Sequence, residues 1–316
     1  MNFQQLRILR ETVRQDFNLT TVANTLFTSQ PGVSKHIKDL EDELGVEIFV
    51  RRGKRLLGLT EPGKEVLEVV ERILLDTQNV RNIAEHFSSR ETGNLVIATT
   101  HTQARYALPE VVKQFKVEYP KVHLVLHQGS PKEIAELLIA GEADIAIATE
   151  WLANVPEIAT FPYYHWHHAV IVPRGHPLTE LENITLADIA EYPIVTYHEG
   201  FTGRTNIDRR FAEEGLVPDI VLSAIDADVI KTYVDIGLGI GIIASMAYNP
   251  ERDGNLALLN VPRLFVPNTT RLAVRRGVYL RSYAYDLIQK LVPGLTEQKI
   301  GEILGREPVA GEDYVI

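Results

Sequence analysis

Residues 18–45 read as two short helices joined by a tight turn, and this segment constrains the fold more than any other. The second helix repeats apolar residues at Val33, Ile37, Leu40 and Leu44. Steps of four, three and four place these side chains on one helix face. The pattern predicts a helix-turn-helix, with a small capped helical hairpin as the alternative.

The second helix of this motif presents a polar face opposite its apolar face. Thr28 or Ser29 can cap the helix, and Pro31 lies in the first turn, where a missing N–H costs nothing. Amide, hydroxyl and cationic side chains on that face suit the hydrogen-bonding pattern of a DNA major groove. The residues predicted to contact DNA from this helix are Thr28, Ser29, Gln30, Pro31, Ser34, Lys35 and Lys38.

A cluster of cations around a glycine follows the helices, between the apolar segments 48–50 and 56–57. This arrangement predicts a two-stranded wing with a basic tip, which can reach backbone phosphates or a minor groove. A charge run alone is usually a solvated loop, but its position directly after a helix-turn-helix favours phosphate contact. The wing residues predicted to contact DNA are Arg51, Arg52, Lys54 and Arg55.

Charge is distributed unevenly along the chain. Of 32 basic and 42 acidic side chains, nine and seven fall in residues 1–60, so that segment carries +2 and the remainder −12. A generally acidic protein gains little non-specific affinity for nucleic acid. The clustered cations therefore predict moderate affinity with sequence selectivity.

Length and composition fit a chain of two or three domains, since it has 316 residues. It contains no cysteine, which excludes a disulfide framework, a thiol nucleophile and a cysteine–metal site. No run is long and apolar enough to span a membrane, and the first residues lack the features of a signal peptide. These properties predict a cytoplasmic protein.

Residues 61–87 are predicted to form one long helix, with Pro62 in its first turn. Apolar residues alternate at steps of four and three, as in the seam of a coiled coil. A helix packed on its own domain is the alternative. We favour dimerisation, because a two-fold dimer presents two recognition helices to two half-sites. The predicted seam consists of Val66, Val70, Ile73, Thr77, Val80, Ala84 and Phe87.

Beyond a polar stretch at residues 88–93, the pattern changes to alternating strands and helices. We predict strands at 95–99, 122–127, 144–149, 168–172, 194–197 and 220–224, and helices at 107–119, 132–140, 205–214 and 229–236. This order predicts an open, mostly parallel sheet covered by helices. About 220 residues is large for one such unit, so two α/β lobes are expected.

Residues 99–103 combine hydroxyl and amide donors where a strand ends and a helix begins. Helix-start N–H groups favour negative charge. Thr100 and Thr102 add hydroxyl donors and Gln103 adds an amide donor, whereas a fully ionised anion offers only acceptors. The segment therefore predicts an anion site, with helix capping by threonine as the alternative.

Two other motifs resemble a metal site and a dinucleotide-binding loop, but we predict neither of these sites. His165 and His167 would share one strand face as metal ligands. No third ligand stands nearby in the sequence, so we predict no metal site and expect Trp166 to stack on a histidine at the cleft or hinge. The glycine run at 237–241 lacks dinucleotide-binding spacing and predicts a helix end and a turn. No hydrolase or nucleotide-loop motif occurs in the sequence.

These motifs together resemble a LysR-type transcriptional regulator of the CysB/Cbl subgroup. The segments that carry the resemblance are SQPGVSKHIKDLEDELG, LTEPGKE, TTHTQARYALP, HQGSP, ADIAIATE, GFTGR and DADVIKTYV. The likeness covers nearly the whole chain and is weakest over 297–316. Regulators of this subgroup control sulfate assimilation and the use of organosulfur sources, mainly as activators.

The resemblance implies an α/β fold with an N-terminal winged helix-turn-helix, a long linker helix and a two-lobed effector domain like a periplasmic binding protein. The chain would cross between lobes near Tyr163 and return near Phe265. The implied boundaries are 1–60 for the DNA-binding domain, 61–90 for the linker helix, 91–162 and 266–292 for lobe I, 163–265 for lobe II, and 293–316 for a C-terminal tail.

The resemblance also implies no enzyme activity and no cofactor, but an anionic sulfur metabolite as effector, such as sulfate, an acetylated serine or adenosine phosphosulfate. Implied partners are double-stranded promoter DNA, RNA polymerase and further copies of the chain, as a homodimer through the linker helix or a homotetramer. An α/β binding protein or an enzyme of sulfur metabolism remains the alternative. The implied effector contacts are Thr100, Thr102, Gln103, Thr149 and Thr202.

Overall fold

The computed structural model describes residues 1–53, 55–88, 92–201, 203–259 and 261–304. The predicted wing residue Lys54, the predicted effector contact Thr202 and residues 305–316 of the predicted tail lie outside the described residues. The chain divides into two compact units, residues 1–85 and residues 86–316. In the part of the chain that the structure describes, no helix is long and apolar enough to cross a membrane.

The N-terminal unit is a winged helix-turn-helix followed by a long helix. Its elements are α1 (Phe3–Arg14), α2 (Leu19–Thr25), α3 (Gln30–Leu44), β1 (Phe49–Arg52), β2 (Arg55–Leu59) and α4 (Glu61–Ser88). Asn18 caps α2 by accepting from the N–H of Thr21, and Ser29 caps α3 by accepting from the N–H of Gly32. Gly45 ends α3 in the left-handed conformation, with φ 71°. Of the two capping residues predicted for α3, Thr28 and Ser29, Ser29 is the one that caps it.

One apolar core joins the elements of this unit. Val70 and Leu74 of α4 are buried in it, and Val66 and Ile73 pack against it. The first half of the predicted coiled-coil seam thus packs on the chain's own helix-turn-helix, which was the alternative left open. The other buried core residues are Leu6, Ile8, Leu9, Val22, Ala23, Val33, Ile37, Leu40, Ile48, Phe49 and Leu56.

The second unit consists of two α/β lobes. Its strands are β3 (Gly93–Thr99), β4 (Val122–Gln128), β5 (Ile145–Ala148), β6 (Ile158–Trp166), β7 (His168–Pro173), β8 (Ile194–Tyr197), β9 (Ile220–Ala224), β10 (Ile240–Ala244), β11 (Leu256–Leu259) and β12 (Asn268–Arg275). Its helices are α5 (Pro109–Glu118), α6 (Pro131–Ala140), α7 (Leu186–Ala190), α8 (Arg204–Glu213), α9 (Ala227–Asp235), α10 (Ser282–Leu291) and α11 (Glu297–Ile303).

Each lobe is built on its own mixed sheet. Lobe I has the strand order β4-β3-β5-β12-β6, in which β3 runs parallel to β4 and β5, and β12 runs antiparallel to β5 and β6. Lobe II has the order β11-β7-β10-β8-β9, in which β7 runs antiparallel to β10 and β11, and β8 runs parallel to β10 and β9. The predicted two-lobed α/β architecture is confirmed. The sheets are less parallel than expected, because β6, β7, β11 and β12 add antiparallel pairs.

The chain passes from lobe I to lobe II at His167. Trp166 still pairs with Asn268 in the sheet of lobe I, and His168 begins β7. The crossing is later than the one predicted near Tyr163, because β6 continues past that residue as a partner of β12. The return lies between β11 and β12, and Phe265 in this stretch is buried in the core of lobe II.

The C-terminal helices belong to lobe I. Leu287 of α10 and Ile300 of α11 are buried in the same core as Leu95 and Ile97 of β3, and Leu304 completes it. The predicted tail, residues 293–316, therefore contributes to the core of lobe I as far as residue 304.

Candidate functional site

The helix α3 turns the residues predicted to contact DNA away from the N-terminal core. Val33, Ile37 and Leu40 are buried on its inner side. On the outer side, the Gln30 amide donates to Ser34 Oγ over 3.2 Å. An exposed polar face at the start of the second helix is the geometry that such motifs use in a major groove. The exposed or half-buried residues of this face are Thr28, Ser29, Gln30, Pro31, Ser34, Lys35 and Lys38.

The wing is fastened to α3 by Glu41. One carboxylate oxygen of Glu41 accepts from the N–H groups of Ile48 and Phe49, over 2.9 and 3.1 Å. The other oxygen pairs with the Arg51 guanidinium over 2.5 Å. Arg51, predicted as a DNA contact, thus also holds the wing in place, a role that local sequence patterns did not indicate.

Replacing Glu41 should loosen the wing. Glu41→Ala leaves the buried amides of Ile48 and Phe49 without their acceptor, which should cost about 2 kcal/mol locally. We expect hydrogen exchange at these amides to accelerate by more than tenfold. Glu41→Gln keeps an acceptor oxygen and should stay close to the wild type. Equal exchange in both variants would contradict the anchoring role.

The predicted DNA contacts can be separated into base readout and phosphate contact. Gln30→Ala should weaken binding to a specific site by about 1–3 kcal/mol and leave random DNA nearly unaffected, because an amide reads base edges. Arg52→Ala should weaken both and reduce the salt dependence of binding. Fluorescence anisotropy over a series of salt concentrations checks both variants. An equal loss on both DNAs in Gln30→Ala would remove its readout role.

In lobe I, two predicted effector contacts follow neighbouring parallel strands. Thr99 pairs with Ile147 across β3 and β5 and donates to its carbonyl over 2.9 Å. Thr100 and Thr149 therefore stand just beyond the carboxyl ends of these strands, at one edge of the sheet. Ligands of open α/β sheets bind outside this edge. Both side chains are buried there.

The segment after β3 carries the next two predicted contacts, Thr102 and Gln103, which are both buried. The N–H of Ala104 donates to the carbonyl of Thr100 over 3.0 Å, so a helical turn begins directly after the strand, as the sequence indicated. Residues 103–107 continue it as a π-helical turn (Gln103–Ala107), a form that occurs frequently at functional sites.

The Gln103 amide belongs to a buried network that the sequence reasoning missed. Its nitrogen donates to Thr270 Oγ1 over 3.2 Å, and its oxygen accepts from the Tyr164 hydroxyl. Trp166 Nε1 also donates to Thr270, over 3.1 Å. Burial raises the pKa of Tyr164 to about 12, so its hydroxyl remains a donor at neutral pH. The network orients Gln103 and adds Tyr164 and Thr270 to the candidate site.

Thr102 reaches from lobe I to lobe II. Its side chain lies beside that of Tyr197, the last residue of β8. The Tyr197 hydroxyl accepts from the N–H of Ala244 over 3.0 Å. Burial raises the pKa of Tyr197, which keeps the phenol protonated. The predicted anion-binding segment is therefore in direct contact with the facing lobe.

The histidines at the crossing form an aromatic cluster. His168 is buried beside Trp166, with ring centroids 5.0 Å apart, and beside Phe265 at 5.7 Å. The predicted pairing of Trp166 with a histidine is present, but the rings meet edge to face, at an interplanar angle of 71°, and are not stacked. His165 Nδ1 lies 3.0 Å from Thr269 Oγ1. Neither His165 nor His167 belongs to a group of three metal-ligating side chains within the described residues.

One group of metal-ligating side chains does come together among the residues that the structure describes. It consists of His101, Asp226 and Asp228. Asp228 lies 3.0 Å from Arg105 and 3.1 Å from Lys231. Two cations already balance this carboxylate, so the group is poorly suited to a divalent ion.

A winged helix-turn-helix joined to a two-lobed α/β domain defines a DNA-binding transcriptional regulator with an attached effector-type domain. The family description "Bacterial regulatory helix-turn-helix protein, lysR family" matches residues 3–64. The description "LysR substrate binding domain" matches residues 88–295. The chain belongs to the LysR family of transcriptional regulators.

Three relatives resemble the chain over almost its whole length. The HTH-type transcriptional regulator SsuR of Burkholderia cenocepacia is 60% identical over 98% of this chain and 100% of its own length. The regulator CysB of the same organism is 53% identical over 97% and 98%. The regulator cbl of Escherichia coli is 55% identical over 95% of both chains. All three are named as transcriptional regulators, and none is named as an enzyme.

Solved structures agree with the fold. The cofactor-binding domain of the Cbl transcriptional regulator has a TM-score of 0.65 and 49% identity, covering 67% of this chain and 93% of that domain. A full-length OxyR from Pseudomonas aeruginosa has a TM-score of 0.63 and 22% identity, covering 92% and 97%. At that identity, the second likeness supports the fold alone.

Proposed function

We propose that this regulator controls genes for sulfate and organosulfur assimilation, mainly as an activator, and that a small anionic sulfur metabolite sets its activity. The full-length similarity to SsuR, CysB and cbl supports the choice of genes. The motifs that resemble the CysB/Cbl subgroup lie in both the DNA-binding and the effector parts of the chain.

The observation that carries the effector proposal is the set of buried hydroxyl donors at the edge of lobe I. Thr100, Thr102 and Thr149 are all buried there, with the Tyr164 hydroxyl close to the same network. Sulfate and related groups offer only acceptors, so hydroxyl donors recognise them without a buried cation. Sulfate, an acetylated serine and adenosine phosphosulfate all present such acceptors. Thr202 completes the proposed set, carried over from the subgroup.

The proposed switch acts through the arrangement of the two lobes. A ligand that contacts Thr102 on lobe I binds beside Tyr197 of lobe II. Its binding therefore depends on how the lobes are placed. A ligand shifts such an equilibrium only by its differential affinity for the two arrangements. We propose that the shift changes how the DNA-binding parts of an oligomer engage the promoter and RNA polymerase.

We propose that α4 supports dimerisation through the part that the N-terminal core leaves uncovered. Val80 is 67% exposed and Ile83 is 39% exposed, and they lie three residues apart on the helix. Exposed apolar residues at this spacing form one face that a second copy can cover. A homotetramer would require a further contact between dimers.

The test is binding of the purified full-length chain to a promoter fragment from a sulfate-assimilation gene and to a scrambled fragment of equal composition. We expect roughly a thousandfold preference for the promoter. Sulfate, an acetylated serine and adenosine phosphosulfate are then added separately, with chloride as the control anion. Equal affinity for both fragments would contradict the proposed genes. A complex that none of the three metabolites alters would contradict the proposed effector class.

A further inference from the structure

A polar cluster around Asp228 joins the two lobes outside the predicted effector contacts. Asp228 lies in the first turn of α9 in lobe II. Its Oδ2 lies 3.0 Å from Arg105 Nε, and its Oδ1 accepts from the Tyr106 hydroxyl over 2.8 Å. Arg105 and Tyr106 both lie in the π-helical turn of lobe I. One carboxylate therefore holds two consecutive side chains of the facing lobe.

Lys231 fixes Asp228 to its own lobe. Its ammonium group lies 3.1 Å from Asp228 Oδ1 and 3.2 Å from Asp253 Oδ1, and it donates to the Ala247 carbonyl over 3.0 Å. The same ammonium lies 5.6 Å from the centre of the Tyr106 ring, within the range of a cation–π contact. The carboxylate is thus anchored in lobe II while it reaches lobe I.

Asp228 is ionised at neutral pH, which the two ion pairs require. Desolvation acts to raise its pKa, but hydrogen bonds from Tyr106 and Lys231, and the charges of Lys231 and Arg105, lower it below the usual value. Charge-assisted hydrogen bonds of this kind are stronger than neutral ones. The cluster therefore favours the arrangement of the lobes in which these groups meet.

The cluster and the proposed effector contacts share one short segment. Thr102 and Gln103 precede Arg105 and Tyr106 in the sequence, with only Ala104 between the two pairs. Thr102 and Gln103 are buried in the proposed site. Arg105 and Tyr106 face α9, where they contact Asp228. Fixing Arg105 and Tyr106 against Asp228 therefore fixes the position of the hydroxyl and amide donors relative to lobe II.

We propose that Asp228 is a positioning residue for the effector site. It holds the turn at residues 103–107 against lobe II, and this places the donors Thr102 and Gln103 to bind an anion. The inference rests on the proposed function, because it assigns the effector to this segment. Binding of the anion and formation of the Asp228 cluster then favour the same closed arrangement. Loss of the cluster lowers the fraction of molecules that are ready to bind.

Sulfate affinity of the full-length protein tests the consequence. Asp228→Asn removes the charge that strengthens the Tyr106 hydrogen bond, and Tyr106→Phe removes its donor. Each should weaken sulfate binding by about tenfold in calorimetry, and the double variant should lose little more, because both weaken the same interlobe cluster. Asp228→Glu should recover part of the affinity. The matched control is Glu118→Gln, which removes an ion pair with Lys290 that is confined to lobe I. It should leave sulfate affinity unchanged.

A distance measurement tests the mechanism independently of the effector site. The chain contains no cysteine, so spin labels can be placed on Cys introduced at exposed Lys132 in lobe I and exposed Glu182 in lobe II. Without sulfate, we expect Asp228→Asn and Tyr106→Phe to lengthen the mean distance between the two labels or to broaden the distribution of distances. Saturating sulfate should restore the wild-type distribution. Glu118→Gln should not change it.

The outcomes distinguish this inference from the proposed function. Unchanged interlobe distances in both variants, or changed distances with unchanged sulfate affinity, would overturn the positioning role. Longer distances together with weaker binding support it. Unchanged sulfate affinity in Thr102→Ala would instead contradict the assignment of the effector site, and the distances would still decide whether Asp228 holds the lobes together.

Discussion

Thr102→Ala is expected to keep the affinity of the full-length protein for promoter DNA but to bind sulfate about ten- to a hundredfold more weakly. Thr102 is buried beside Tyr197 of lobe II, and its hydroxyl is the proposed donor to the anion. A lost hydrogen bond to a charged group costs about 1.5–3 kcal/mol. The variant should therefore bind the promoter and lose its response to the metabolite. Calorimetry and promoter binding on the same preparation measure both properties.

Two further variants sharpen this prediction. Thr102→Ser keeps the hydroxyl and removes only a methyl group, so most of the sulfate affinity should remain. Thr100→Ala should also weaken binding, because Thr100 is buried beside the end of β3. If neither Thr100→Ala nor Thr102→Ala changes the affinity for sulfate or for the other metabolites, the effector binds elsewhere.

Charged residues on the uncovered face of α4 are expected to separate the dimer. We predict that Val80→Asp combined with Ile83→Asp yields a monomer in sedimentation velocity, since two charges in a dry helical seam cannot be paired. Promoter affinity should fall roughly a hundredfold or more, because a monomer engages one half-site and loses the gain from two linked contacts. Ile73 is a less suitable position, because it packs against the helix-turn-helix core.

The control for this pair is Val117→Asp. Val117 is 81% exposed on α5 of lobe I, so the substitution adds a charge to an exposed valine outside α4. It should change neither the sedimentation coefficient nor promoter affinity. A double variant in α4 that remains a dimer would refute the proposed seam, whatever its effect on DNA binding.

The strongest predictions from sequence concern elements that local patterns specify. The strands at 194–197 and 220–224 coincide with β8 and β9, and the capped helices of the N-terminal motif begin and end close to the expected residues. Helix periodicity, capping side chains and left-handed glycines act within a few residues of one another. The fold class followed from these elements together with the resemblance to the LysR family.

The sequence was less informative where the residues that contact one another are far apart in the chain. Residues 158–166 were not predicted as a strand, because β6 is defined by its pairing with β12, more than a hundred residues later. The same pairing moves the lobe crossing to His167. The long helix shows a related limit, since its periodicity fitted both a coiled coil and packing on its own domain. Only the position of the core showed that Val70 and Leu74 are covered within the chain.

The sequence by itself determined the winged helix-turn-helix, the α/β character of the remainder and the hydroxyl-rich segment after β3, because these depend on local periodicity and residue type. The tertiary structure decided which side chains meet. It oriented Gln103 through Tyr164 and Thr270, and it brought Tyr106 to Asp228. Contacts between residues so distant in the chain depend on strand order and lobe placement, which no local pattern encodes.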